Sequence, residues 1–585
     1  MAAVSFHFHG YQPGDVVRWL EPDPLKPPRF EERNSPVAHT IRDRTVKGRN
    51  WTDAVLHTYG HMEAVLEDVA GAASVDIEPQ TLVWLLGKDP DAYRRVVAAW
   101  EKGVAGLVVT PPFHPILPHH HRLEREALFD MMIDFYAPLL RHAPARPVGL
   151  WLPEAAYTAD VMRDYMAAAR RAAGRYEGMP DLVNRVHLLV DERQVVHRDP
   201  KTAWYRAPVD GGVPVAARDH ALSGDFAFGA STPVEFVAAA KLRRADSLLV
   251  ASDLESLLAN PAQAERFEAI VSGLRADGFT ATAPNPWDVT RTAGLVEFSS
   301  WSDYDEHLRE GHTSDTRWTG IRRSDGLVLS RMHRGEKVSQ LWKHAFMLAT
   351  EQVETIVRRT ARDLLKDFDL DRRRAILRRL AVAYGRHVFR THYRLNGLSD
   401  SDLDFARAAE RLVAGKIDVA AAAYLARAYV TMLMGLRSDP RFWDNLDTRV
   451  TFQNVVCLAQ ALLDASEAWR LAGHPDGADR TLRHLVATLL EFSESYARTG
   501  LSSLHGIEGW ATTEDAWLRG LQSEVPSRSG HDLVRRATLM AVGERLRADV
   551  GVAYRLGDAV ADTGHIVGEA HGLWDNPDWC EHRRG

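Results

Sequence analysis

Short apolar runs alternate with amphipathic patterns of helical period along the first half of the chain. The runs are apolar at nearly every position, which is typical of parallel strands that are buried on both faces. We predict seven strands, at Val4–Gly10, Ser74–Pro79, Gly106–Pro111, Pro147–Pro153, Val186–Glu192, Val213–Asp219 and Ser247–Asp253. Helical patterns between them include Asp91–Gly103, Arg122–Leu140, Ala159–Ala173 and Pro233–Arg244. This order predicts an α/β fold, an incomplete (β/α)7 barrel.

The second half lacks the short runs and consists of long amphipathic patterns separated by Gly or Pro. The predicted helices include Val338–Asp367, Arg372–His392, Val419–Leu436, Thr451–Ala472, Gly477–Thr499 and His531–Asp549. Between the halves, Ala283–Leu327 is rich in Trp, Asp, His and Gly, and we interpret it as a long loop region. We therefore predict a barrel domain over residues 1–305, a connecting region over 306–335 and an all-α C-terminal domain over 336–585.

Charge and composition argue against several classes of protein. The net charge of the 585 residues is −7 and no run of five or more like charges occurs, so we expect neither nucleic acid nor a membrane surface as a partner. No apolar stretch approaches the roughly 18 residues of a membrane span. Two cysteines, Cys457 and Cys580, and the absence of a basic and apolar leader favour a cytoplasmic protein. Glycine-rich nucleotide motifs are absent, we expect no cofactor, and the oligomeric state stays open.

Polar residues directly follow most of the predicted strands. In a parallel barrel the carboxyl ends of the strands meet at one mouth, where such side chains can act together. His7 and His9 share one face of the first strand, Glu154 follows the fourth, and Asp253 ends the seventh. Cleavage of a glycosidic bond requires two carboxylates at such a place, with aromatic side chains to hold the sugar. Glu154 and Asp253 are the best such pair.

These strand-end segments resemble, in their order, the motifs of glycoside hydrolase family 57, which contains α-glucan-active amylases, 4-α-glucanotransferases and branching enzymes. The segment His7–Pro13 is similar to the family's N-terminal motif, in the form of an uncharacterised branch that reads His-Gly-His-Phe-Tyr-Gln-Pro. The other similar segments are Ser74–Pro79, Phe113–Pro118, Pro147–Glu154, Arg218-Asp219 and Leu248–Glu255. The motifs cover roughly residues 1–305, and the helical second half also matches the family.

The resemblance implies a retaining double displacement on α-glucans, with Glu154 as nucleophile and Asp253 as acid/base. Their carboxyls would then lie about 5–5.5 Å apart, and the charge of Glu154 would raise the pKa of Asp253. The implied partner is an oligo- or polysaccharide, and we expect no metal. The expected substrate-binding residues are His7, His9, Gln12, His114, Trp151, Asp219, Trp301 and Trp318, with the three tryptophans as stacking platforms.

The segment after Asp253 departs from the family pattern. Where the family reads Asp-Gly-Glu-x-x-Gly, this chain reads Asp253-Leu254-Glu255-Ser256-Leu257-Leu258, and the missing glycines would matter if the turn needed a positive φ. A glycan-binding protein with impaired catalysis is therefore one alternative. A metal-dependent hydrolase of related barrel shape is another, since His7, His9, His114 and Asp219 are possible ligands.

The run His119–His121 is interpreted as a solvated loop. The sequence does not decide between hydrolysis, transfer and branching, nor does it fix the linkage or the chain length of the substrate.

Overall fold

A computed structural model describes most of the first 481 residues. The described residues are 2–14, 23–28, 30, 51–69, 71–142, 147–176, 178–179, 181–209, 211–258, 261–287, 289–302, 316–320, 330–333, 336–442, 449–478 and 481. Among the described helices, none combines the length and the apolar character that crossing a membrane would require.

A nine-stranded sheet forms the first half of the protein. Its strands are β1 (Ala3–Gly10), β2 (Ala73–Ile77), β3 (Gly106–Val109), β4 (Val148–Leu150), β5 (Val186–Asp191), β6 (Trp204–Ala207), β7 (Val213–Arg218), β8 (Ser247–Asp253) and β9 (Thr280–Ala281). The seven predicted strands correspond to β1–β5, β7 and β8, which run parallel in the order β7-β5-β4-β3-β2-β1-β8. The ends of this path meet where Asp219 N donates to Leu249 O at 2.7 Å. The predicted fold, an incomplete (β/α)7 barrel followed by helices, is confirmed.

Two strands of this sheet lie outside the predicted set. Strand β6 pairs antiparallel with β7 at the edge of the sheet, and the two residues of β9 pair with β1. A separate antiparallel pair, β10 (Ser330–His333) and β11 (Glu336–Ser339), precedes the helical half.

Helices cover the outside of the barrel. They are α1 (Trp51–Asp68), α2 (Pro79–Lys88), α3 (Pro90–Lys102), α4 (Arg122–His142), α5 (Ala159–Ala173), α6 (His220–Phe228), α7 (Pro233–Leu242), α8 (Leu254–Leu258), α9 (Pro261–Ala276) and α10 (Thr316–Thr319). Many begin at a side-chain cap, as at Asp89, Thr158 and Thr232, whose oxygens accept backbone N–H groups of the first turn. Short 3-10 turns, including Pro153–Ala155, follow three of the strand ends.

The second half is helical, as the patterns predict. Its described helices are α11 (Leu341–Leu364), α12 (Leu370–Val388), α13 (Arg390–Leu395), α14 (Phe405–Val413), α15 (Val419–Gly435), α16 (Asp439–Phe442) and α17 (Arg449–Leu471). Helix α15 is buried along nearly its whole length and packs against α17, α12 and α11. Of the predicted helix Gly477–Thr499 only residues 477, 478 and 481 are described, and His531–Asp549 lies outside the described residues.

The predicted helix Arg372–His392 is wrong as one element, because the chain breaks it at Phe389. This residue leaves helical geometry, with φ −97° and ψ 33°, and separates α12 from α13. Its ring packs against Phe30, Phe113 and Phe135, with centroid distances of 5.3, 6.4 and 5.6 Å. Contact with this aromatic cluster compensates the lost helical geometry.

The barrel and the helical half share a polar boundary. Arg386 of α12 donates to both carboxylate oxygens of Asp134 on α4, at 2.9 and 2.6 Å, and Tyr393 donates to the same carboxylate at 2.8 Å. The His119–His121 run lies at this boundary, so its interpretation as a solvated loop is wrong. His119 and His120 are buried because Arg441 and Glu354 of the helical half bind them, at 2.7 and 2.6 Å.

Candidate active site

Strand register brings three polar side chains to one level at the carboxyl end of the barrel. His9 of β1 is the register partner of Asp76 on β2 and of Asp253 on β8. Partners on neighbouring parallel strands point to the same face of the sheet, so all three face the barrel mouth. Glu154 joins them from the 3-10 turn that follows β4. Glu154 is connected to His9 through Trp301, whose Nε1 donates to the Glu154 carboxylate and whose ring centroid lies 6.4 Å from that of His9.

Glu154 is held by its backbone and by two hydrogen bonds. Its φ of 59° and that of Ala155, 48°, are in the left-handed region, which side-chain-bearing residues rarely adopt and which clusters at functional sites. Trp301 Nε1 and Ser302 Oγ both donate to Glu154 Oε2 at 2.7 Å. Burial raises the pKa of Glu154 above its usual value, and the two donors and the nearby His9 reduce this effect.

Asp253, the last residue of β8, is exposed, and its carboxyl is therefore open to a ligand. The surrounding protein still desolvates this carboxyl, and desolvation raises its pKa. The charge of Asp76 raises the pKa further, whereas the charges of His9 and Arg218 lower it. Desolvation, and not the charge of Glu154, is therefore the main cause of the raised pKa that the resemblance implies. Asp253 in turn contributes to the raised pKa of Glu154, so the two carboxyls interact.

The turn after Asp253 does not need the missing glycines. Residues 254–258 form the short helix α8, and no residue from Asp253 to Leu258 has a positive φ. Leu254, where the family pattern has glycine, is fully buried in the hydrophobic core. This chain therefore has a packed helical turn where the family pattern has glycines. Asp253 is still the register partner of His9.

The two histidines of β1 differ in charge. Asp76 Oδ2 lies 2.8 Å from His9 Nδ1, and although burial alone would lower the pKa of His9, the charge and hydrogen bond of Asp76 raise it to about 9. His7 lies deeper, and its Nδ1 is 3.1 Å from Ser74 Oγ. Its Nε2 is also 3.1 Å from Asp76 Oδ1, but this contact is not aligned as a hydrogen bond. Burial lowers the pKa of His7, so His9 carries the positive charge.

His114 continues this arrangement toward the helical half. Its Nε2 lies 3.0 Å from His9 Nε2 and its Nδ1 lies 2.7 Å from Ser438 Oγ. The ring of Tyr11 stacks on His114 at 4.1 Å and 7°, and Tyr11 donates its hydroxyl to Asp439 at 2.6 Å. Like Glu154, His114 has a left-handed backbone, with φ 51°. Burial and the charge of His9 lower the pKa of His114 well below its usual value.

Gln12 forms a hydrogen bond with the segment that follows Asp253. Its amide donates to Glu255 Oε1 at 2.9 Å, and the hydroxyl of Tyr59 donates to the same oxygen at 2.9 Å. Desolvation and the charge of Asp253 raise the pKa of Glu255 to about 7. Gln12 therefore positions the residue two places after Asp253.

Trp151 and Trp301 form the aromatic wall of the site. Trp151 is buried against His7 and His9, at centroid distances of 5.3 and 5.2 Å, and its ring meets Trp301 edge-on at 4.6 Å. Trp301 is half-buried, and the guanidinium of Arg218 lies 4.3 Å above its ring. Of the two rings, Trp301 is the one with a surface left for a ligand.

Two predicted binding residues lie apart from this group. Asp219 caps α6 by accepting from Leu222 N at 2.9 Å and pairs with Arg243 at 2.8 Å. Trp318 is fully buried, donates to Ser300 Oγ at 3.0 Å and packs in a cluster with Ile116 and Ala156. In this position its ring has no face free to stack on a sugar.

Several residues at the site were not among the site residues predicted from the sequence. Asp76 follows the same strand-end rule as Asp253, so the β2 pattern could have identified it. Arg218 also ends a strand, and Asp191 Oδ2 holds its Nε at 2.7 Å. Ser438 and Asp439 have no comparable signal, because only the packing of the helical half on the barrel brings them to His114 and Tyr11.

Among the residues that the structure describes, no group of three or more His, Cys, Asp or Glu side chains is arranged to hold a metal ion. The carboxylate of Asp76 instead contacts both histidines of β1, with a hydrogen bond to His9 and an unaligned 3.1 Å contact to His7.

Comparison with known proteins identifies similar chains. A family model described as maltose-forming alpha-amylase-like, N-terminal domain, matches residues 1–313, and the corresponding C-terminal domain model matches residues 317–564. An exo-type maltose-forming amylase from Pyrococcus sp. ST04 is 33% identical over 100% of both chains, with a TM-score of 0.72. Comparison with curated protein sequences returns no match.

Two further solved structures are more distant. A 4-alpha-glucanotransferase from Thermococcus litoralis is 13% identical over 80% of this chain and 60% of that one, with a TM-score of 0.45. A GH57-type branching enzyme from Pyrococcus horikoshii is 9% identical over 90% and 97%, with a TM-score of 0.41.

Proposed function

The chain belongs to the maltose-forming α-amylase-like family, and from this premise we propose that it is a retaining glycoside hydrolase that releases maltose from α-glucans. Membership confirms the prediction of an enzyme of the glycoside hydrolase and glucanotransferase type. The finer assignment, to family 57 with its double-displacement mechanism, is part of the proposal. Its main support is that Asp253 is the register partner of His9, while Glu154 accepts a hydrogen bond from Trp301, whose ring centroid lies 6.4 Å from that of His9.

In the first step, a carboxylate oxygen of Glu154 attacks the anomeric carbon and forms a glycosyl ester. The glycosidic C–O bond breaks as Asp253 gives its proton to the leaving oxygen. In the second step, water attacks the same carbon and returns a proton to Asp253, and the ester bond to Glu154 breaks. Since Trp301 and Ser302 hold Oε2, we assign the attack to Oε1.

Electrostatics support this division of roles. Two donors at 2.7 Å stabilise the ionised form of Glu154, as a nucleophile requires. No described residue donates a side-chain hydrogen bond to the carboxylate of Asp253, and its pKa is raised by desolvation, which favours the protonated form that a general acid needs.

A Glu154→Gly variant with azide tests the mechanism. The variant should lose turnover of an activated α-maltoside by about 10³-fold or more, and azide in the vacated space should restore it and give the β-configured glycosyl azide. Glu101→Gly, which removes an exposed glutamate, is the control and should keep its activity. Turnover by Glu154→Gly without azide, at the level of the control, would remove Glu154 from the mechanism.

Product analysis tests the substrate and the outcome of the reaction. Maltooligosaccharides of defined length, followed by chromatography at early times, should give maltose as the first product and shorter chains as the remainder. Longer chains would show transfer to a sugar hydroxyl, and new 1,6 linkages would show branching. Either result would contradict release of maltose by hydrolysis.

A further inference from the structure

A chain of polar contacts links the barrel mouth to the helical half. It runs from Asp76 Oδ2 to His9 Nδ1 at 2.8 Å, from His9 Nε2 to His114 Nε2 at 3.0 Å, and from His114 Nδ1 to Ser438 Oγ at 2.7 Å. All four side chains are buried. Three of them come from the barrel, and Ser438 comes from the segment between α15 and α16.

The three contacts fit a set of hydrogen bonds that starts from a protonated His9. Burial alone would lower the pKa of His9, but Asp76, 2.8 Å from Nδ1, raises it to about 9, and a protonated His9 donates from Nδ1 to Asp76 and from Nε2 to His114. His114 is neutral, and its Nε2 must accept. Its single proton is therefore on Nδ1 and is donated to Ser438 Oγ.

We propose that Ser438 of the helical half is a positioning residue for the barrel's active site: it fixes the tautomer of His114 and thereby keeps His9 protonated beside Glu154 and Asp253. If the acceptor at Ser438 were lost, the proton of His114 would be free to move to Nε2. The N–H groups of His114 Nε2 and His9 Nε2 would then face each other, and His9 would lose its Nε2 proton because the two protons repel.

The backbone of the same segment supports this role. Ser438 N donates to His114 O at 3.0 Å, and Arg437 forms an antiparallel bridge with Pro115. The next residue, Asp439, accepts the hydroxyl of Tyr11, whose ring covers His114. Three successive residues of the helical half thus hold the strained loop that presents His114 to His9.

The charge of His9 matters because it lies among acids. The groups that face it are Asp76 of β2, Glu154 after β4, Asp253 of β8, His7 of its own strand and His114 after β3. His9 lowers the pKa of both Glu154 and Asp253 relative to what burial alone would give. With a neutral His9, a larger share of Glu154 would be protonated and unable to attack.

This inference rests on the proposed function, and its test uses the full-length chain. Ser438→Ala should lower kcat by about tenfold, the effect of losing one hydrogen bond of about 1.4 kcal/mol, with little change in KM. The acid limb of the kcat/KM profile should move to higher pH, since the pKa of Glu154 rises. Ser438→Thr, which keeps the hydroxyl, should restore both, and Ser466→Ala, which removes a buried hydroxyl of α17 that binds Ala478 O, should change neither.

A measurement on the unchanged protein keeps the test independent of the variant's folding and of activity. Imidazole nitrogen NMR at pH 8 should show His9 protonated on both nitrogens and His114 protonated on Nδ1. A neutral His9, or His114 protonated on Nε2, would overturn the inference, as would a Ser438→Ala enzyme with an unchanged pH profile. Absence of any α-glucan turnover in the unchanged enzyme would instead contradict the proposed function and leave the NMR result to decide the role of Ser438.

Discussion

Glu154 is held at the barrel mouth by two unusual features. Its backbone is left-handed, and both hydrogen-bond donors bind one oxygen of its carboxylate. His114 has the same backbone feature at the end of β3, next to Phe113 with φ 70°. Strained residues persist where the surrounding contacts over-determine them. At both positions the strain fixes a side chain that faces the barrel mouth.

The hydroxyl of Ser302 should set the working pH range of Glu154. Its hydrogen bond favours the ionised carboxylate, so Ser302→Ala should raise the pKa of Glu154 and move the acid limb of kcat/KM to higher pH. The basic limb, assigned to Asp253, should stay in place. Ser300→Ala, which removes a hydroxyl that binds Trp318 rather than Glu154, is the control for the same loop. An acid limb that does not move would show that Ser302 leaves the ionisation of Glu154 unaffected.

Strand β4 packs closely against both neighbouring strands at Gly149. A Cβ on Gly149 would lie 2.5 Å from Val108 Cγ2 of β3 and 3.1 Å from Leu189 Cδ1 of β5. The backbone of Gly149 has no positive φ, so space rather than conformation requires glycine here. The strand leads directly to Glu154, and close packing around it sets the position of that residue.

Gly149→Ala should therefore destabilise the protein by about 1–3 kcal/mol through overpacking. Thermal unfolding should show a lower midpoint, and adding Val108→Ala should recover part of the loss. Gly224→Ala in α6 is the matched control, because its Cβ meets nothing within 4 Å and alanine favours a helix. Equal midpoints for the Gly149 and Gly224 variants would contradict the packing argument.

The buried parallel strands could be predicted because each is a short, mostly apolar run, whereas β6 could not. Residues Trp204–Ala207 alternate between buried and half-buried at the sheet edge, and four residues of that kind do not stand out from a loop. Side-chain roles followed the same division. Glu154 and Asp253 come at strand ends, so the sequence could predict them as a carboxylate pair, but the contact of Ser438 with His114 depends on packing across more than 300 residues.

At the scale of the whole molecule, Asp134 connects the barrel to the helical half. Its carboxylate is almost fully buried and binds Arg386 and Tyr393, which belong to α12 and α13. Burial alone would raise the pKa of Asp134, but the hydrogen bonds and charge of Arg386 hold it below its usual value. The ion pair between Asp134 and Arg386 thus favours the folded state whenever Asp134 is ionised.

Asp134→Ala should lower the free energy of unfolding by about 1.5–3 kcal/mol, because it removes the charge-assisted hydrogen bonds to the half-buried Arg386. The contribution of Asp134 is complete above the unfolded pKa of about 4 and is lost as the pH falls through the lower folded value. Denaturant unfolding at pH 7 and pH 3 measures both effects. Asp400→Ala, which removes an exposed carboxylate bound to Arg390 and Arg394, should change little. A similar loss in both variants would argue against a special role for the buried carboxylate.

The position of β1 between β2 and the late strand β8 has a consequence for synthesis on the ribosome. The strand pairs with β2 on one side and with β8 on the other, where Val4 is the partner of Leu248. At about 5–20 residues per second, the nascent chain carries an open edge on its first strand for roughly 12–50 s. An unpaired, apolar strand edge is a template for association with other chains. Covering this edge during translation, for example by a chaperone, should therefore reduce association with other chains, and slower elongation should increase it.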